Sequence, residues 1–187
     1  MKKNTAKLLI GRKEKVDFPK LKLYGIDAKV DTGAYTSAIH CDSVRAVRRG
    51  GQRYVRFRLM DPSHPAYDGK EIRKPLAGRK KIKSSFGHTE YRYIIKTKIK
   101  LFGEEHDIEL SLSDRTKMEH PILLGRKFIQ KKYVVDVSRF NLSNKNKKIS
   151  ISPNQKRTTA KPETSAVKKK PSKKKSVQDT SPAIDAK

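Results

Sequence analysis

Two short stretches have the residue types and order to do chemistry together. In Val30-Asp31-Thr32-Gly33-Ala34 an apolar strand, Ala28-Lys29-Val30, delivers a carboxylate into a turn with glycine two residues later. A carboxylate so placed can act as a general acid or base, although Asp-Thr-Gly alone equally makes an ordinary turn with a capping aspartate. The second stretch, Pro121-Ile122-Leu123-Leu124-Gly125-Arg126, is an apolar strand ending in glycine, with Ile122 lying 91 positions after Asp31. Other chemistries find less material. The five histidines, His40, His64, His88, His106 and His120, share no metal-ligand spacing, and the single Cys41 excludes a cysteine-cluster zinc site and an internal disulfide. No His-Glu-x-x-His pair and no phosphate-binding Gly-x-x-x-x-Gly-Lys-Ser/Thr loop occurs. His40 and Cys41 are adjacent on a strand pattern and so face opposite ways, which argues for structural roles rather than a nucleophile pair. No metal and no cofactor is expected.

The elements that must position Asp31 read as strands. Apolar and charged residues alternate in Arg53-Tyr54-Val55-Arg56-Phe57-Arg58-Leu59 and in Lys96-Thr97-Lys98-Ile99-Lys100-Leu101, the period of half-buried antiparallel strands. Glycines at 25, 33, 50, 51, 69, 78, 87 and 103 punctuate the runs as in a small closed β-barrel. The only convincing helical start follows Gly125, over Arg126 to Gln130. Two segments lack a strand pattern, Asp61 to Lys70 and Ser84 to Thr89, and either suits a mobile loop over a site. Asp114 and Arg115 suit an ion pair or turn before Met118, Asp136 suits a cap on the Val134-Val135 strand, and Arg126 suits a carboxylate partner or a helix surface.

Composition bounds the rest. Among 187 residues, 46 are Lys or Arg and 19 are Asp or Glu, a formal net charge of +27. Residues 145–187 hold 13 basic and 3 acidic side chains, no aromatic residue and the run Lys168-Lys169-Lys170-Pro171-Ser172-Lys173-Lys174-Lys175. Such a segment buries too little apolar surface to offset its ordering entropy, so it reads as a disordered basic tail that binds nucleic acid or other polyanions weakly. Residues 1–144 hold the apolar content and read as one domain. No apolar run approaches the ~20 residues of a membrane span. Leu8-Leu9-Ile10 is interrupted at once by Gly11-Arg12-Lys13, so no signal peptide is read and a cytoplasmic protein is expected.

Taken together, the Asp31 and Ile122–Gly125 stretches resemble the retropepsin-like aspartic peptidases. Asp31 to His40, Ser111 to Arg126, Ile82 to Gly87 and the pair Val135-Asp136 narrow the resemblance to a bacterial and archaeal family whose members often carry the label ATP-dependent zinc protease. It spans roughly residues 8 to 140, with Tyr35 where a basic residue and Cys41 where alanine would be expected. The resemblance implies an all-β barrel of the acid-protease type with one short helix. It implies catalysis by Asp31, Thr32 and Gly33, a supporting loop of Ala34, Ile122, Leu123, Leu124, Gly125 and Arg126, and a strand that braces the Asp31 loop from behind. One Asp-Thr-Gly per chain implies a homodimer with the two Asp31 residues at its axis and Thr32 bonded across it. A peptide or protein substrate follows, acidic in view of the charge, and glutamate-rich because relatives are often encoded beside ligases that add glutamate to proteins. A different class of function fits the same charge: a catalytically inactive basic barrel that grips RNA or acidic proteins, with Tyr54, Arg56, Arg58, Tyr91, Arg92 and Tyr93 as contacts.

Overall fold

The computed structural model describes residues 6–83, 89–143 and 150–151. Strands β1 (Lys7–Gly11) and β2 (Lys13–Phe18) open the chain, and in β2 Glu14, Val16 and Phe18 turn inward while Lys13, Lys15 and Asp17 turn outward. A 3-10 turn at Pro19–Leu21 leads into β3 (Leu23–Val30), which ends at Asp31. The long strand β4 (Ser37–Arg49) is followed by β5 (Gln52–Leu59), β6 (Glu71–Pro75) and β7 (Gly78–Lys83). Next come β8 (Thr89–Leu101), β9 (Glu104–Ser113), β10 (Ile122–Leu124), helix α1 (Arg126–Ile129), β11 (Tyr133–Asp136) and β12 (Ser150–Ile151). Both alternating stretches read from the sequence lie in strands, β5 and β8, with Val55, Phe57, Ile99 and Leu101 in the core. The short helix starts where glycine releases the strand, at Arg126.

The main sheet closes on itself. Its hydrogen-bonded order runs β10-β3-β2-β8-β9-β4, and β10 pairs with β4 as well as with β3, giving a ring of six strands. The closing strand is short and apolar for a physical reason. β10 lies parallel to β3 (Ile122↔Ala28, Leu124↔Val30) and antiparallel to β4 (Ile122↔Ile39), and Ile122 and Leu124 are wholly buried. A strand enclosed by partners and core reads as a continuous apolar run, not an alternating one. Beyond the ring β4 continues outward past a bulge between Asp42 and Arg45 and carries β5 and β6 with it. β6 is an edge strand, and proline is tolerated at its end, Pro75, because the missing N–H faces no further partner.

A second, three-stranded sheet pairs β1 with β11 in parallel and with β12 in antiparallel register. Ser150 and Ile151, assigned from composition to the tail, thus pair with Leu8 and Lys7. The remaining tail residues, 145–149 and 152–187, lie outside the described residues, as do 84–88 of the second proposed loop. Glu14 is fully buried and does structural work: its Oε1 accepts from Gly11 N at 2.7 Å and its Oε2 from Ser143 N at 2.8 Å. Gly11 admits no side chain, because a Cβ there would lie 2.4 Å from Arg139 O.

Candidate active site

At the end of β3 the parallel ladder extends one residue further, with Asp31 N donating to Leu124 O at 3.0 Å. The Asp31 side chain then closes its own turn: Oδ1 accepts from Gly33 N at 2.8 Å and Ala34 N at 3.1 Å. Among the described residues no donor reaches Oδ2, and Thr32 and Gly33 are exposed, so the turn presents a half-buried carboxylate with one oxygen fixed and one open. The Thr32 hydroxyl likewise has no hydrogen bond among the described residues, while its carbonyl is engaged.

Gly125, Ser37 and α1 hold this turn in place. A Cβ on Gly125 would meet Tyr35 O and Thr36 C at 2.8 Å, so the Asp31 loop lies directly against its backbone and only glycine fits. Gly125 N donates to the buried Ser37 Oγ at 3.0 Å. The first N–H groups of a helix lack partners within it. Here Arg126 N donates to Ala34 O at 2.8 Å and Lys127 N to Tyr35 O at 3.0 Å, so the start of α1 ties down the loop. The Arg126 side chain completes the clasp, its Nη1 donating to Thr32 O at 2.7 Å and Gly33 O at 2.8 Å. Among the described residues Arg126 therefore pairs with no carboxylate but with the carbonyls of Thr32 and Gly33 at the centre of the turn. Ile122, Leu123 and Leu124 supply the ladder behind it. Sequence reading missed Ser37, whose signal was a lone hydroxyl in a run otherwise fully buried, Ser37-Ala38-Ile39.

A second polar cluster lies on the neighbouring loops. His40 is 3% exposed; its Nδ1 accepts from Arg115 N at 2.7 Å and its Nε2 sits 2.9 Å from Asp61 Oδ2. Asp61 begins the first proposed loop, which is internally bonded, with Ala66 N donating to His64 Nδ1 at 3.0 Å and Tyr67 N to His64 O at 2.9 Å. Asp114 makes a turn, accepting from Thr116 N at 2.9 Å and Thr116 Oγ1 at 2.6 Å, while Arg115 Nε donates to His120 O at 3.1 Å. Burial and the charge of Arg92 lower the pKa of the Arg115 guanidinium, and the charge of Asp31 acts the other way. Burial pushes the Cys41 thiol up to about 12, which makes it an inert packing residue. Asp136 caps its strand, accepting from Ser138 N at 3.0 Å. Among the described residues no three His, Cys, Asp or Glu side chains converge on one point. Two cavities, about 300 Å³ beside α1 and about 390 Å³ beside His40, are not lined by Asp31.

Residues 9–146 match the model of the family described as retropepsin-like aspartic endopeptidase RimB. Among curated proteins, the chain is 38% identical over 136 residues to a Shewanella pealeana protein named "Probable alpha-L-glutamate ligase" and 36% identical over 140 residues to a Desulfotalea psychrophila protein of the same name. The matches take in 71% and 73% of this chain but 29% of each relative. A solved structure from Legionella pneumophila, of a protein with unknown function, superposes with a TM-score of 0.60 at 25% identity, covering 72% of this chain and 97% of that one. Among the described residues no helix is long and apolar enough to cross a membrane. An Asp-Thr-Gly turn braced by a parallel Ile-Leu-Leu-Gly strand in an all-β ring, and a family match over most of the chain, lead to one conclusion: this chain belongs to the RimB-like, retropepsin-like aspartic endopeptidase family.

Proposed function

We propose that two copies of this chain form a twofold dimer that hydrolyses peptide bonds in acidic segments, with the two Asp31 carboxylates at the axis. The observation that carries the reading is the Asp31 turn: Oδ1 is fixed by two backbone N–H groups, and Oδ2 has no donor among the described residues at an exposed turn. A single carboxylate is half of the required machinery. In the dimer one carboxylate takes a proton from water as its oxygen attacks the scissile carbonyl, and the other, protonated, gives its proton to the carbonyl oxygen. Collapse of the tetrahedral diol then returns a proton to the leaving amine, and the pair again holds one proton. Thr32, whose hydroxyl has no partner among the described residues, would bond across the axis.

The charge of +27 favours acidic substrates by steering. The ligase name of the longer relatives points the same way, toward segments rich in glutamate. The one thiol, buried and unpaired, suits a reducing cytoplasm. The test is cleavage of glutamate-rich peptides by wild-type protein, by Asp31→Asn, and in the presence of a statine-type mimic or a chelator. Asp31→Asn and the mimic are expected to abolish cleavage with the fold unchanged. Loss with chelator alone would overturn the aspartic mechanism, and a strictly monomeric protein by sedimentation would remove the dyad.

A further inference from the structure

The geometry points to a binding face for single-stranded nucleic acid on the outer side of β4–β5–β6, separate from the Asp31 turn. Between Arg45 and Pro75 the chain uses seven arginines and two lysines, whereas everywhere else it uses seven arginines and thirty lysines. Where bare positive charge suffices, this protein uses lysine. The projecting ladder uses the side chain whose planar fork grips phosphate through two parallel hydrogen bonds and whose flat face stacks on aromatic rings.

Strand register gathers five of these seven arginines on one face, while Arg48 and Arg53 pair on the other. Arg45 lies opposite Arg56, and Arg56 opposite Arg73, so three guanidiniums form a row across the three strands. The next row holds Val47, Tyr54 and Pro75. Arg73 sits over the Tyr54 ring, 5.5 Å from its centroid, and the Tyr54 hydroxyl donates to Gln52 Oε1 at 2.7 Å, which orients the ring. Arg58 and Arg49 flank the rows. Two carboxylates oppose these five cations: Glu71, bonded to Arg45 at 2.7 Å and to Arg56, and Asp42, 4.0 Å from Arg58. The side chains of Arg45, Arg56 and Arg58 remain 60%, 42% and 44% exposed.

A surface of exposed guanidiniums with a tyrosine ring beneath Arg73 among them offers a strand of nucleotides both phosphate contacts and a plane to stack on. An acidic peptide would use the charge but has no bases to stack. The structure also sorts the aromatic residues singled out in the sequence. Tyr54 shares its face with Arg56 and Arg58, whereas Tyr93 is half-buried against the core and Tyr91 lies on β8, which is no neighbour of β5.

The test uses the full chain, so that the lysine-rich tail contributes equally to every variant. Anisotropy with labelled oligouridylate and oligothymidylate across a salt series is compared for wild type, the triple variant Arg45→Lys/Arg56→Lys/Arg73→Lys, and Tyr54→Ala, with heparin and polyglutamate as competitors. The triple variant keeps the charge, so roughly tenfold weaker oligonucleotide binding with heparin binding unchanged supports the face, as does a roughly tenfold loss in Tyr54→Ala. Hydrogen exchange of the wild-type complex should show new protection in residues 45–58 and 71–75, whichever oligonucleotide is bound. Wild-type affinity in both variants, equal competition by polyglutamate, protection only elsewhere, or binding of neither oligonucleotide would overturn the proposal. Urea titration of each variant confirms that folding is retained.

Discussion

In the Asp31 turn seven backbone groups are tied: Asp31 N to Leu124 O, Gly33 N and Ala34 N to the carboxylate, Ala34 O and Tyr35 O to the start of α1, Thr32 O and Gly33 O to Arg126. On the outer face of β4–β6 the backbone makes an ordinary ladder, and the side chains stand in solvent. The first region spends its residue choices on geometry and presents one oxygen. The second leaves geometry to strand register and presents a field of guanidiniums. Substitutions should therefore cost fold in the first region and ligand in the second.

The largest effect on stability belongs to Gly125→Ala. Its Cβ would sit 2.8 Å from Tyr35 O and Thr36 C, both backbone, so the loop must move; overpacking of this kind typically costs about 1–3 kcal/mol or more. Urea unfolding should show that loss, and the proposed peptidase activity should fall with it. Ser37→Ala comes next, because it strands a buried Gly125 N–H without an acceptor, at about 1–3 kcal/mol. A value near zero in the same titration would mean that the loop closes over the gap.

A smaller and pH-dependent effect is expected of Asp61→Asn. The Ser63 hydroxyl and N–H, and then the His40 imidazole, hold the Asp61 carboxyl below its ordinary 3.8. A carboxyl whose pKa is lower folded than unfolded contributes stability above the unfolded value and loses it as pH falls through the folded one. The penalty of Asp61→Asn should thus be full near neutral pH and shrink below about pH 4, as read by thermal melts across pH. The smallest effect belongs to the other region. Arg49→Lys and Arg58→Lys, both at exposed positions on that face, should leave stability within about 0.5 kcal/mol. A larger shift would make the projecting ladder a structural unit in its own right and narrow the contrast.

What could be read from residues alone was whatever rests on backbone demands. Asp31, Gly33 and Gly125 are legible because a tight turn and a backbone contact restrict residue type, and β10 because a strand between two partners has no polar face. The short helix at Arg126 followed from glycine ending a strand. Partner choice by long side chains was not legible. Nothing in Gly125-Arg126 says that the guanidinium reaches two carbonyls more than ninety positions earlier, since that depends on how the ring closes. The same holds for Arg115, which bonds His120 O and not its neighbour Asp114, and for His40, whose pairing with Asp61 requires β4 and the following loop to meet.

Closure of the ring by β10 also sets when the site can exist during synthesis. Asp31 is made early, yet the groups that shape its turn arrive with Leu124, Gly125 and Arg126, late in the domain. Contacts this distant in sequence form only after the entropy of bringing their ends together has been met. A nascent or truncated chain that stops short of Pro121 carries the aspartate without the lattice of donors and acceptors that aims it. On the proposed mechanism, the carboxylate is thereby left unaimed, and harmless to neighbouring nascent chains, until its own domain is all but complete.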